Sequence, residues 1–216
     1  MSLQTIIDNA TFVEMDIREI SGSTISRSGH YKTADRNVNI FQFNIGMHDG
    51  LTYSTNRGVI QDIYTTGSTT EANISLNNNS GMNYLTAYQG GRDTANLANL
   101  SLNTFSGDQF FINTSTCFGT GTIFSKGDFI QPKGNTDTYR YPYMVTEDVT
   151  SAGANVAVTV HRPILEQDGV ALTSGGFKIG NDVRWQVKIV NLPKYSVVPH
   201  DRVVFSDDFE LIEVIT

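Results

Sequence analysis

Cysteine is nearly absent: Cys117 is the single one in 216 residues. No intrachain disulfide can form, and one thiolate cannot assemble a zinc site. Between Thr116 and Phe118 it reads as a small buried apolar residue in a strand. Charge is also scarce, with Asp, Glu, Lys and Arg at 17% against roughly 25% in an ordinary domain. The net charge is -7 and no dense Lys/Arg run occurs, so direct sequence-specific nucleic-acid binding is not expected. An acidic surface past which DNA slides without sticking is compatible with that balance. No run of 18 apolar residues exists, so no membrane span is expected. MSLQTIIDNATF lacks the basic and long apolar regions of a secretory signal. The Asn-x-Ser/Thr triplets at Asn9, Asn73, Asn78, Asn99 and Asn113 then read as by-products of composition.

Chemistry-bearing motifs are equally thin. The histidines, His30, His48, His161 and His200, include no i, i+2 or i, i+4 pair, so no local metal site is expected. Asp207, Asp208 and Glu210 lack calcium-loop spacing and read as a solvated turn. Glu147 and Asp148 are adjacent on a strand and point to opposite faces, which disfavours a catalytic pair. Gly119 to Thr122 and Ser174 to Gly176 are turn glycines rather than phosphate loops, and no Gly-x-Ser-x-Gly elbow occurs. The expectation is a protein with no enzymatic activity, no catalytic residues, no metal and no cofactor.

What is abundant is Asn, Thr, Ser and Gly, which suit strands and turns. Such polar, uncharged surfaces also suit burial between subunits, because an amide or hydroxyl costs less to desolvate than a charge. Apolar and charged residues alternate from Val13 to Ile17, as in a half-buried strand, and SGSTISRSG follows as a Gly/Ser loop. Val38 to Ile45 is a second strand with a bulge near Phe41. Val59 to Tyr64 is either a short strand or the start of a helix. Thr69 to Leu76 and Tyr84 to Tyr88 read as short strands, and Asn77 to Gly81 as a turn. In the second half, Gln109 to Asn113, Thr116 to Phe118, Thr122 to Phe124 and Asp128 to Gln131 are strand-like. Tyr139 to Val149 is an extended strand with Tyr139, Tyr141, Tyr143, Val145 and Glu147 on one face. Pro142 marks it as an edge or bulge. Ser151 to Asn155 turns into Val156 to Ile164. Val183 to Val190 has Val183, Trp185, Val187 and Ile189 on one face, and Val197 to Phe205 and Phe209 to Ile215 complete the chain.

Turns every 8–12 residues and scarce helical periodicity predict a mostly β protein, an antiparallel sandwich or barrel. The text changes at GGRDTANLANLSLN. The expected division is a β-rich region over 1–92, a linker or short helix over 93–106, and a barrel or sandwich over 107–216, unless the whole is one continuous domain. The three tyrosines present either an inner packing face, a subunit interface, or a stacking platform for sugars or bases. Arg162, in His161-Arg162-Pro163, either pairs with a neighbouring subunit's carboxylate or sits at the local surface. Tyr139, Tyr141, Tyr143 and Arg162 are thus the candidate interface residues.

The stretch GTIFSKGDFIQPKGNTDTYRYPYMVTEDVTSAGANVAVTVHRPI, Gly121 to Ile164, resembles segments of phage virion proteins. It shares a Gly-Asp entering a strand, a Tyr-Pro-Tyr strand, and a valine-rich strand ending in His-Arg-Pro. Ile25 to Ile63, with ISRSG and STNRGVIQDI, is similar to structural proteins of contractile-tailed phages, including those of cyanobacteria. The resemblance covers about half the chain and maps no functional residue. It implies tail-tube or baseplate-hub β-barrel modules in homo-oligomeric rings around a channel, with other tail or baseplate proteins as partners. It places the chain in the virion after synthesis in the host cytoplasm. The second reading is a receptor- or glycan-binding module of a tail fibre or tip.

Overall fold

The computed structural model describes residues 3–25, 31–47, 51–66, 71–77, 82–115, 121–135, 137–150, 155–172 and 175–215, with the backbone alone at 19–24, 31–37, 66 and 82–83. Cys117, His30, His48, and most of the 77–81, 116–120 and 151–155 turns fall outside them. The protein is mostly β, and every pairing is antiparallel. Its largest sheet joins β1 (Phe12–Ile25), β2 (Tyr31–Gly46), β16 (Phe209–Glu213), β13 (Trp185–Asn191) and β4 (Ala72–Ile74), in that order. Sheets of three strands form from β11 (Asn155–Thr159), β6 (Gln109–Asn113) and β5 (Ser101–Ser106), and from β12 (Phe177–Ile179), β8 (Phe129–Pro132) and β9 (Tyr143–Met144). A third unites β14 (Tyr195–Val198), β15 (Arg202–Phe205) and β3 (Leu51–Thr52), and β7 (Thr122–Phe124) pairs with β10 (Val149–Thr150). None of these sheets closes into a barrel within the chain.

The chain does not divide at 93–106 into consecutive halves. Strands from both ends share the five-stranded sheet, and the buried residues fall into two cores that follow this topology. Trp185 lies at the centre of the first core, against Phe41, Phe43 and Phe129. That core draws on residues 3–76 and 183–211, with Phe129 added. The second is built from Leu100 to Phe177, so the middle of the chain is an insertion between strands of one sheet. The stretch expected to be a linker or short helix contains the short helix α3 (Thr94–Ala98), capped by Asp93 accepting from the Asn96 amide at 2.8 Å, and then β5.

Helices settle the strand-or-helix alternative left open at Val59 to Tyr64 and account for further departures from the expectation. Val59 to Tyr64 belongs to α2 (Tyr53–Thr66), in which Ile60 and Ile63 are buried and Val59 and Tyr64 pack partly against the same core. The spacing 59, 60, 63, 64 is helical and carries the signal in the sequence. At the N-terminus, α1 (Leu3–Asp8) buries Leu3, Ile6 and Ile7, but six residues are too few for a period to stand out. Tyr84 and Leu85 end a short 3-10 helix, Met82–Leu85, rather than beginning a strand. SGSTISRSG is not wholly a loop: β1 runs through it to Ile25 and pairs residue by residue with Tyr31 to Asp35.

Candidate functional site

Alternation from Tyr139 to Val145 places Tyr139, Tyr141, Tyr143 and Val145 on one buried face. A continuous ladder does not form there, because Pro142 has no N–H to donate and only Tyr143–Met144 pairs as β9. The face points into the second core. Tyr139 Oη donates to the Leu165 carbonyl at 2.7 Å, and the Leu165 amide donates to Tyr143 Oη at 2.8 Å. The hydroxyls are 2.6 Å apart. Since Tyr139 spends its proton on Leu165, Tyr143 donates to Tyr139, and the ring of bonds closes with every partner satisfied. Burial pushes the Tyr143 phenol up to about 12 and raises Tyr139 well above its ordinary value, so both stay neutral. Tyr141 packs edge-on against Tyr139. The three tyrosines are therefore interior packing residues of one chain in this conformation, and no stacking platform is open to a ligand. Tyr143→Phe strips the acceptor from the Leu165 amide and the donor from Tyr139; a loss of about 1–3 kcal/mol is expected by urea unfolding, with Tyr84→Phe, on an exposed tyrosine, as the near-neutral control.

Arg162 is 1% exposed, neither at a local surface nor on a neighbouring subunit. The valine-rich β11 and the Val145–Val160 bridge deliver His161-Arg162-Pro163 to the seam between the cores. Two guanidinium nitrogens meet the two oxygens of Glu213, at the end of β16, at 2.6 Å each. They also donate to the carbonyls of Asn39 at 2.8 Å and Pro142 at 3.0 Å. Glu213 accepts a further bond from the Phe41 amide at 3.1 Å. The guanidinium lies 5.5 Å from the Phe41 ring centre and 5.2 Å from that of Tyr143, within cation–π range. Burial opposes the charge on Arg162, but the Glu213 carboxylate more than offsets it and holds the group above its usual range. One ion pair thus ties β2 and β16 of the first core to Pro142, Tyr143 and Arg162 beside the second. This arrangement suits fixing two parts of a fold, because a planar fork meets a carboxylate in one geometry.

His161 is spent on the same seam. Its Nδ1 accepts the Met144 amide at 3.0 Å, and its ring lies 4.8 Å from that of Phe41. Burial, then the neighbouring Arg162 charge, lowers its pKa from 6.5 to about 3. The folded protein therefore keeps it neutral while the unfolded chain takes up a proton below 6.5. The stability it contributes is present above 6.5 and is lost as pH falls toward 3. His161→Gln is expected to flatten the stability–pH curve between pH 6 and 4 by up to about 1.4 kcal/mol per pH unit relative to the parent; parallel curves in urea titrations contradict this placement.

Asp128 was not singled out in the sequence, though the SKGD turn contains it. It is buried and accepts from the amides of Gln89 at 2.7 Å and Ser125 at 2.8 Å, and burial raises its pKa. Gly127 in that turn has φ +95, a conformation glycine adopts without penalty. Glu147 Oε1 accepts from the Thr159 hydroxyl at 2.7 Å and Asp148 from the Lys126 amide at 2.8 Å, so the two carboxylates serve separate partners. Glu210 binds Gln42 across the β16–β2 pairing at 2.7 Å. No group of three His, Cys, Asp or Glu positioned for a metal occurs among the described residues.

A polar cleft of about 700 Å³ lies near the rim of β4 and β12. Asp8, Asn73, Lys133, Lys178, Asp182 and Arg184 are among its walls, and Lys178 pairs with Asp137 at 3.1 Å. Cations and carboxylates are mixed around it, with side-chain amides from Gln4 and Asn181. That chemistry suits a small polar molecule rather than a polyanion. Comparison with known proteins returns no matching family model and no matching characterised protein.

Proposed function

We propose that the chain is a non-enzymatic structural component of a phage virion, in the tail or baseplate, that assembles with copies of itself and with other virion proteins. The observation that carries the structural part is where the distinctive chemistry goes. The tyrosines are consumed in packing the second core, and Arg162 and His161 in joining it to the first, while the 14-residue β1 forms an edge of the largest sheet. Buried chemistry with a long strand at the sheet edge among the described residues fits a building block, because edge strands invite strands from other chains. The phage assignment is supported by the resemblance over Gly121 to Ile164. On this reading a tube or hub barrel would be completed between subunits, and the acidic net charge keeps DNA from adhering. Mass spectrometry of purified particles tests it: the chain is expected in stoichiometric amounts, and its absence from intact particles refutes the assignment.

The polar cleft favours a second reading, a glycan-binding tip module. It is expected to give saturable binding of host surface polysaccharide that Lys178→Ala combined with Arg184→Ala reduces at least tenfold. Binding unchanged in that variant removes the cleft as the site.

A further inference from the structure

A smaller pocket of about 240 Å³ opens beside the polar cleft and shares Asn73, Asp137, Lys178 and Arg184 with it. Among the described residues, three cations, Arg140, Lys178 and Arg184, stand around it against one carboxylate, Asp137. Asp137 is already paired with Lys178. The guanidinium groups of Arg140 and Arg184 have no hydrogen-bond or ion-pair partner among the described residues. Positive charge is therefore in excess here, on a chain of net charge -7, and an anion in the pocket relieves the repulsion between like charges.

Two glutamines fix the backbone that carries these cations. Gln131, buried on β8, donates to the carbonyls of Tyr139 at 2.9 Å and Arg184 at 3.0 Å, and accepts the Arg184 amide at 3.0 Å. Gln167 accepts the Arg140 amide at 2.9 Å and donates to the Thr138 carbonyl at 3.3 Å. Both arginines thus stand on held backbone with their heads unspent, as a preformed site requires. A guanidinium presents paired N–H groups in the plane of a carboxylate. The adjoining cleft sets the rest of the ligand. Asp8 and Asp182 on its walls accept from hydroxyls and repel further negative charge, so the ligand that fits both openings has one anionic group on a hydroxylated body. We propose that the pocket and the cleft together bind a carboxylated sugar, such as a uronic acid unit of a polysaccharide, with its carboxylate between Arg140 and Arg184 and its hydroxyls toward Asp8 and Asp182. This rests on the glycan-binding reading of the cleft.

Ligand-observed NMR titration of the full chain tests it, with glucuronate, galacturonate and N-acetylneuraminate, their neutral counterparts glucose, galactose and N-acetylglucosamine, and inorganic phosphate. The variant is Arg140→Gln/Arg184→Gln; both side chains are exposed, so it should keep the parent's unfolding midpoint. At least one acidic sugar is expected to bind the parent saturably and at least tenfold tighter than its neutral counterpart, and the variant should lose that preference. No saturable binding of any acidic sugar, or a preference that survives in the variant, overturns the proposal. Neutral sugars bound as tightly as acidic ones overturn the carboxylate and leave the glycan reading standing. A chain that binds none of these sugars and no host surface polysaccharide overturns both. Phosphate bound more tightly than every acidic sugar, and lost in the variant, overturns the sugar as the ligand of this pocket.

Discussion

Glu213→Gln is expected to destabilise the protein by about 3–5 kcal/mol, a large share of the stability of a typical domain. The substitution changes little in shape. It leaves the Arg162 guanidinium charged and sealed at the seam, with no carboxylate to balance it and an amide NH₂ facing one of its donors. Replacing both partners by apolar residues, Arg162→Met with Glu213→Leu, is expected to recover most of the loss, since removing the pair also removes two desolvation penalties. The recovery should be incomplete, because the Phe41 amide and the carbonyls of Asn39 and Pro142 lose their partners. Urea unfolding of the three proteins checks this. A Glu213→Gln protein within 1 kcal/mol of the parent is incompatible with a buried pair.

Phe41→Ala is expected to cost about 3–5 kcal/mol and to disturb the seam as well as the core. The ring contacts Phe43, Phe129 and Trp185 inside the first core and His161 at its border, and it forms one face beneath Arg162. Phe41→Leu keeps most of the volume and loses the aromatic face. Its cost should be smaller, and the difference between the two variants separates cavity from cation–π contact. The Trp185 emission spectrum is an independent reading: it should shift to the red in Phe41→Ala as water approaches the indole.

Strand identity was legible where apolar and polar residues alternate, as in β1, β13 and β16. Alternation also identified the shared face of Tyr139, Tyr141 and Tyr143. It did not reveal what that face meets, because a period of two reports sidedness and not the neighbour. Arg162 illustrates the limit further. Its partner is 51 positions away and Phe41 lies 172 positions from Glu213, and no local pattern encodes pairings at that range. The same distance defeats the division at 93–106: β16 returns to β2 over about three-quarters of the chain, so the end expected to belong to the second half completes the first core. SGSTISRSG reads as a loop from its Gly and Ser content, yet pairing with Tyr31 to Asp35 keeps much of it extended. Composition there records few apolar residues, not the absence of a strand.

Cryo-electron microscopy of purified particles tests the central claim, that this chain is an assembling virion component, most directly. Repeated copies should fit the tail or baseplate density with the two cores joined through Arg162 and Glu213 inside each copy. Intact particles whose tail and baseplate density is fully assigned to other chains would contradict it.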